Sequence, residues 1–131
     1  MAENEYGYIR VTVRAADGAL PLERAIVTVK DGNESILAVF FTDEDGNTPP
    51  LKVLAPPKEN SGAPGVVGPA FYVYNIDTDK VGYRSVRNIG VPVYPGVTSV
   101  QPVEMVPRPE NSEGYFGDSI KYNESSGAPE L

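Results

Sequence analysis

The sequence predicts an all-β protein, an antiparallel β-sandwich of about seven strands. Three observations lead to this fold class. Apolar and polar residues alternate in several short segments, which is the period of a strand with one buried face. Turn residues separate these segments, because 13 glycines and 13 prolines divide the chain into short pieces. Finally, no long segment has the apolar spacing of a helix.

The first two strands are predicted from strict alternation. Residues 6–15 end at Asp17-Gly18, and residues 25–30 end at a hairpin turn over residues 31–34. One face of each strand should pack in the core while the other meets solvent. The predicted inward residues are Ile9, Val11, Val13, Ala25, Val27 and Val29.

Residues 36–42 form an apolar run, which predicts a strand with two buried faces, either central in its sheet or covered on its outer side. A short helix is the alternative, but the length of the run and its content of β-formers favour a strand. The Asp45-Gly46 pair that follows predicts a hairpin, which would pair this strand with residues 51–54.

The second half of the chain begins with a long loop over residues 55–69, which lacks periodicity; loops of this length are usually functional or disordered. Strands are predicted at 71–76, 83–93 and 98–106. Pro102 places the last of these at an edge or a bulge. The sandwich is therefore assigned to residues 1–107.

Residues 108–131 are predicted to be an acidic C-terminal tail. An aromatic and apolar cluster in this tail predicts a docking arm, which would bind either its own sandwich or a neighbouring chain. The cluster consists of Tyr115, Phe116, Ile120 and Tyr122.

Composition and charge exclude several functions. The net charge of −7 disfavours nucleic acid and anionic membranes as partners. No apolar run is long enough to span a bilayer. Residues 1–5 lack the apolar segment of a secretory signal, so we expect a cytoplasmic protein, a signal-independent export route, or a piece of a longer chain.

Catalytic chemistry is disfavoured because the sequence has neither histidine nor cysteine. The acidic residues fall in predicted turns, with Glu104 on an edge strand as the exception. Acids in turns cap the backbone more often than they bind calcium. We therefore predict no catalytic residue, no cofactor and no metal site, and hence not an enzyme. The turn residues considered as calcium ligands are Asp43, Asp45, Asn47, Asp77 and Asp79.

Tyrosine side chains offer a candidate binding surface, because the ring packs against sugars while the hydroxyl forms hydrogen bonds. Ordinary cross-strand packing is the favoured explanation, because tyrosine is common in strands. The candidate interaction residues are Tyr72, Tyr74, Tyr115, Phe116, Ile120 and Tyr122.

Five short motifs occur in order: residues 7–13, the Pro-Leu-Glu-Arg-Ala-Ile-Val-Thr-Val run at 21–29, Thr-Asp-Glu-Asp-Gly at 42–46, Gly-Tyr at 82–83 and Gly-Val-Thr at 96–98. This order resembles the carboxypeptidase-regulatory-like, transthyretin-like (collagen-adhesin B-type) sandwich. It is most similar to modules that accompany peptidoglycan-binding domains in spore-forming bacteria.

The resemblance implies a prealbumin-like fold and a role as a spacer, adhesion or accessory module. Some members of the wider group carry a Lys–Asn isopeptide bond, but Arg10 and Arg14 stand where such a lysine would lie. The related hydroxyisourate hydrolases use paired histidines, which this chain lacks.

These observations predict a structural, adhesive or assembly module that acts through its sheet edges and its tail. A protein partner or self-association is expected, in a larger envelope or appendage complex. The alternative is a glycan- or peptidoglycan-binding module that uses surface tyrosines. The implied location is the cell envelope, a spore or an extracellular assembly, and otherwise the cytoplasm.

Overall fold

The computed structural model describes residues 5–57, 71–108 and 119–124. These residues form two packed sheets and no helix, so the predicted all-β sandwich is confirmed, with nine strands instead of about seven. The strands are β1 (Glu5–Ala15), β2 (Leu20–Pro21), β3 (Ile26–Asp31), β4 (Ile36–Phe41), β5 (Leu51–Ala55), β6 (Tyr72–Asp79), β7 (Ser85–Val93), β8 (Thr98–Met105) and β9 (Ser119–Asn123).

Strand β1 organises the four-stranded sheet. Its whole C-terminal part pairs in parallel with β8. Its other edge is shared: β5 pairs with residues 5–9, and β2 pairs with residues 14–15. The gap between β5 and β2 is filled by the loop that follows β4. In this loop the Thr48 N–H donates to the Val11 carbonyl at 2.9 Å, and the Gly46 carbonyl accepts from the Val13 N–H at 2.7 Å.

The five-stranded sheet has the order β4-β3-β6-β7-β9. Its pairs are antiparallel except β7–β9, which is parallel. The prediction of antiparallel pairing therefore holds for most of the sandwich and not for β1–β8 or β7–β9. Alternating apolar residues report which face of a strand is buried and carry no information on strand direction, so the sequence pattern did not reveal the parallel pairs.

Side chains that alternate along the strands form the core between the sheets, and all six predicted inward residues lie in it. These strands form because β-branched residues fit a pleated surface that is buried on one side. The buried apolar residues are Ile9, Val11, Val13, Ala15, Leu22, Ala25, Val27, Val29, Val53, Ala55, Tyr74, Ile76, Val86, Val91, Val93, Val103 and Met105.

The predicted hairpin around Asp45-Gly46 is wrong, because β4 and β5 lie in different sheets. The turn itself forms, with Gly46 at a φ of 79°. It carries the chain from one sheet to the other instead of reversing it within a sheet. Residues 42–50 are therefore called the crossover loop below.

The prediction that residues 36–42 form a strand with two buried faces is also wrong. Within the described chain, β4 pairs with β3 alone and forms an edge of the five-stranded sheet. An unbroken apolar run matches a doubly buried strand, but it also matches an edge strand whose outer face is left uncovered. In contrast, the hairpin predicted over residues 31–34 is confirmed, since β3 and β4 pair as antiparallel neighbours.

Part of the predicted tail joins the sandwich, because β9 pairs with β7 at the other edge of the five-stranded sheet. Pro102 lies in β8, at an edge of the four-stranded sheet, as its missing N–H predicts. Most of the predicted 55–69 loop lies outside the described residues. No helix within the described ranges is long and apolar enough to cross a membrane.

Candidate functional site

Strand β4, at an edge of its sheet, exposes a row of large apolar side chains on the outer face. Leu37, Val39 and Phe41 alternate along the strand and point to solvent, with exposed fractions of 46, 52 and 64%. No charged residue or proline occurs between Ile36 and Phe41. Edge strands of soluble proteins usually carry such residues to prevent pairing with another chain. We call Ile36–Phe41 with this exposed row the β4 edge.

Two turns explain why β4 remains outermost. Before β4, the carboxylate of Asp31 accepts hydrogen bonds from the backbone N–H groups of Asn33 and Ser35 at 2.8 and 3.0 Å, which fixes the hairpin. After β4, the Thr42 hydroxyl accepts a hydrogen bond from the Ala25 N–H and donates one to the Leu22 carbonyl. These bonds direct the chain into the crossover loop, and no later strand among the described residues pairs with β4.

Other edges of the sandwich are better protected. On β8, Pro102 has no N–H group to offer to another strand. Glu104 is exposed on the same strand, and its carboxylate accepts a hydrogen bond from the Asp17 N–H at 2.8 Å. The edge of β7 is covered by β9. The β4 edge is therefore the more open route for strand addition.

A second feature is a cleft between the free edge of β8 and strand β9, with a volume of about 450 Å³. It spans both sheets, since β1 and β8 form one wall and β7 and β9 form the other. Val86 and Val103 are its buried apolar residues. Its lining residues are Thr12, Arg14, Gly18, Val86, Asn88, Gln101, Pro102, Val103, Glu104, Tyr122 and Glu124.

Polar groups in the cleft converge on Asn88, which is only 2% exposed. The amide nitrogen of Asn88 donates a hydrogen bond to the Glu124 carboxylate at 2.6 Å. Its amide oxygen is buried and has no hydrogen-bond partner among the described residues. Gln101, also buried, donates from its amide nitrogen to the Pro102 carbonyl at 2.8 Å.

The predicted tyrosine surface is divided between the core and the cleft. Tyr74 is 6% exposed and its hydroxyl donates to the Leu54 carbonyl at 2.6 Å, so its predicted role on the surface is wrong. Burial raises the pKa of Tyr74, and Tyr72 and Asp31 add to the increase. Tyr72 is half-buried and packs against the core. The inward position of Tyr74 follows from alternation along β6, since Ile76 and Thr78 on the same face of the strand are buried as well.

Two of the four candidate residues of the tail lie within the described structure. Ile120 and Tyr122 lie on β9, where Ile120 is half-buried and Tyr122 is exposed at the cleft. Tyr115 and Phe116 lie outside the described residues. Tyr122 thus lies on a strand that pairs with β7, beside a cleft that the sequence does not predict, and its role in interaction stays a prediction.

The acids considered as calcium ligands have structural partners instead. The Asp43 carboxylate accepts hydrogen bonds from the N–H groups of Asp45 and Asn47 at 2.9 and 3.0 Å. Asp77 forms an ion pair with Lys30 at 2.8 Å on the outer face of the five-stranded sheet. Within the described ranges, no three histidine, cysteine, aspartate or glutamate residues group in a way that suits a metal ion.

Comparisons with known proteins identify structural neighbours only. No family model matches the sequence, and a search of curated proteins finds no match. The fold is similar to 3-chlorocatechol 1,2-dioxygenase from Rhodococcus opacus, with a TM-score of 0.51 and 14% identity, over 82% of this chain and 61% of that chain. It is also similar to catechol 1,2-dioxygenase from Acinetobacter sp. ADP1, with a TM-score of 0.56 and 12% identity, over 92% of this chain and 59% of that chain.

These neighbours correct the prediction that the chain is not an enzyme, because the same sandwich occurs in enzymes. The prediction rested on missing histidine and cysteine and on the role that the family resemblance implies. At 14 and 12% identity the likeness shows the fold alone, and this chain spans about three fifths of each dioxygenase chain. The resemblance to carboxypeptidase-regulatory-like sandwiches stays a prediction.

Proposed function

We propose that this protein is an assembly module and that the β4 edge pairs with the β4 edge of a second copy. The observation that supports this proposal is the row of exposed apolar side chains on an edge strand with no protecting charge or proline. Strand addition would satisfy the outward backbone groups of β4 and place a cross-strand neighbour against each side chain of this row, which covers part of its apolar surface.

A two-fold axis fixes how the two strands would meet. In an antiparallel pair centred on Val39, each Val39 lies opposite its own copy, and Leu37 lies opposite Phe41 of the second copy. All of these side chains then share one face, because opposed residues of neighbouring strands point to the same side. Apolar and aromatic pairs of this kind stabilise a sheet by roughly 0.2–1 kcal/mol each.

Strand β9 would limit the assembly to a dimer. It covers the β7 edge and becomes the outermost strand there, where its short length and the exposed Lys121 disfavour addition of another strand, so growth is favoured at β4. Pairing of identical edges about a two-fold axis uses both of these edges and closes the assembly. The product would be a continuous ten-stranded sheet. The family resemblance would place such a dimer in a cell-envelope or appendage complex.

The experiment compares two substitutions of valine by lysine in the full-length chain. Val39→Lys adds a charge at the centre of the proposed pair, and Val81→Lys adds the same charge in a turn where Val81 is 96% exposed. Sedimentation velocity gives the mass of each variant over a range of concentrations. We expect dimers for the wild-type chain and for Val81→Lys, and monomers for Val39→Lys.

Both residues are exposed, so each variant should change the free energy of unfolding by no more than about 0.5 kcal/mol. Urea unfolding checks this and separates loss of association from loss of fold. A wild-type chain that remains monomeric at the highest attainable concentration would disprove self-pairing, as would a Val39→Lys variant that dimerises like the wild type.

A further inference from the structure

We propose that the cleft between β8 and β9 binds a short, uncharged or amino-substituted saccharide. This site is separate from the β4 edge, since β4 and the cleft lie at opposite edges of the five-stranded sheet. Either proposal can therefore fail without the other.

The cleft has the dimensions and the mixed chemistry of a small-molecule site. Its volume of about 450 Å³ lies in the range of roughly 300–1,000 Å³ that is usual for such sites. Val86 and Val103 provide an apolar floor, while Asn88 and Gln101 stand beside them as buried amides. An apolar surface with a few convergent polar groups binds a ligand in a defined orientation.

The amide oxygen of Asn88 is the strongest sign of a missing ligand. Buried polar atoms in proteins nearly always have a hydrogen-bond partner, and leaving one without a partner is costly. The hydrogen bond from the Asn88 nitrogen to Glu124 fixes the orientation of the amide, so that the oxygen is the atom that lacks a partner. A hydroxyl or amino group of a ligand would donate to this oxygen after a small shift of the side chain.

The balance of hydrogen-bonding groups in the cleft defines the class of ligand. Glu104, Glu124 and the oxygen of Asn88 are acceptors, whereas Arg14 is the cationic donor on the lining. The two carboxylates outnumber the one guanidinium, so the local charge is negative. This arrangement favours a ligand rich in donors, such as a polyhydroxylated sugar or an amino sugar, and disfavours phosphate and carboxylate ligands.

Tyr122 supplies the surface on which a sugar ring can pack. It lies opposite Asn88 in the β7–β9 register, so its exposed ring extends the wall above the buried amide. Tyrosine rings combine a flat apolar face with a hydroxyl group, which matches the C–H face and the hydroxyl edge of a sugar. An added peptide strand is the less suitable occupant, because Pro102 lacks an N–H group and Glu104 places a charge on this edge.

The test is an NMR titration of the full-length ¹⁵N-labelled chain with glucose, glucosamine, N-acetylglucosamine and cellobiose. We expect saturable shifts of the side-chain amide signals of Asn88 and Gln101 with at least one of these sugars. The backbone amides of β9 should shift in the same titration. No saturable shift with any of the four probes would overturn the proposal, and so would shifts that map outside the cleft.

Two tyrosine variants, one in the cleft and one outside it, show whether the sugar binds in the cleft. Tyr122→Ala should weaken binding about tenfold, because it removes the ring that packs on the sugar. Tyr8→Ala removes an exposed tyrosine from β1, away from the cleft lining, and should leave the affinity unchanged. An equal loss in both variants would overturn the proposal.

A second variant, Glu104→Gln, tests the ligand class without changing β9, in case Tyr122→Ala loosens that strand. Glu104→Gln retains an oxygen that can accept from the Asp17 N–H but removes the negative charge. It should weaken the binding of glucosamine, whose amine is cationic, more than that of glucose. Equal affinities of this variant and the wild type for glucosamine would contradict the ligand class proposed above.

Discussion

Tyr74 shows how one residue links packing to chemistry. Its ring fills the core while its hydroxyl donates to the Leu54 carbonyl in the other sheet, so it joins the two sheets by a hydrogen bond as well as by packing. Because the charged phenolate is disfavoured in this apolar site, the pKa of Tyr74 lies above its usual value of about 10. The free energy of unfolding should therefore fall at alkaline pH, where Tyr74 begins to ionise.

Tyr74→Phe should change both the size and the pH dependence of the stability. At neutral pH the lost hydrogen bond should cost about 1 kcal/mol. In the wild type, the unfolded chain releases the phenolic proton more readily than the folded one, so the stability from this group is complete below pH ~10 and is lost as pH rises through the folded pKa. Urea midpoints measured from pH 7 to 11 should show this decline in the wild type and a smaller one in Tyr74→Phe.

Tyr8→Phe provides the control for this experiment, because it removes a hydroxyl from an exposed tyrosine and leaves Tyr74 intact. Its decline at alkaline pH should match that of the wild type. If Tyr74→Phe also matches the wild type, Tyr74 does not carry the pH dependence.

At the scale of elements, the crossover loop determines how the two sheets are joined. The loop occupies the edge of β1 between β5 and β2, and its hydrogen bonds replace those of a missing strand. The Thr48 hydroxyl accepts from the Val11 N–H at 2.9 Å, and the Thr12 hydroxyl donates to the side-chain oxygen of Asn47 at 2.9 Å. The edge of β1 is thereby closed along most of its length.

Gly46 is the position where this arrangement is most sensitive. It has a φ of 79°, and a Cβ atom there would overlap the carbonyl oxygen of Val13. Gly18 has a similar φ of 84° with open space around it. Gly18→Ala should cost about 1–2 kcal/mol for the left-handed backbone alone, and Gly46→Ala should cost roughly 1–3 kcal/mol more for the overlap.

Urea unfolding of the two alanine variants measures this difference directly. The pair separates the backbone penalty, which both positions share, from the close approach of the loop to β1, which only Gly46 has. Equal destabilisation of the two variants would show that the loop can move away from β1 at no cost.

How far the sequence predicts each element depends on what its pattern encodes. Alternation at Ile9 and Val27 reports one buried face, which the structure confirms. The run at 36–41 has no period, so the sequence could not distinguish two buried faces from an uncovered edge. Turn chemistry at Asp45-Gly46 is local: it predicts that the chain turns and carries no information on the sheet that the next strand joins.

The cleft could not be predicted from the sequence, for a different reason. Asn88 and Glu124 are 36 positions apart, and they meet only because β9 returns to pair with β7. No spacing rule predicts such a contact, and neither residue belongs to a motif. In the sequence, Tyr122 stands out as one of few apolar residues in an acidic tail. That pattern predicts a docking arm and carries no information on a cleft beside it.

At the scale of the whole molecule, β9 replaces the longer edge of β7 with a short edge that carries the exposed Lys121. Removal of residues 109–131 should expose the β7 edge while the β4 edge stays available. The chain would then have two different edges for strand addition, and joining unlike edges generates open chains instead of closed dimers. We expect the shortened form to produce assemblies larger than a dimer in sedimentation velocity.

Removal of residues 125–131 alone is the matched control, because it shortens the same terminus and retains β9. This form should behave as the full-length chain does. Hydrogen exchange provides a second measurement, since the amides of β7 that face β9 should exchange faster only in the shorter form. Unchanged exchange in β7 after loss of 109–131 would contradict a protective role for β9.

The parallel pairing of β1 with β8 has a consequence for synthesis of the protein. Tyr8 lies opposite Thr98, so the first strand must wait for about ninety further residues before its partner exists. At roughly 5–20 residues per second, a ribosome needs on the order of 5–20 s to make that stretch. Throughout this interval the edge of β1 that later pairs with β8 stays open on the nascent chain. A chaperone that binds alternating apolar segments would have its longest opportunity at the N-terminus of this chain.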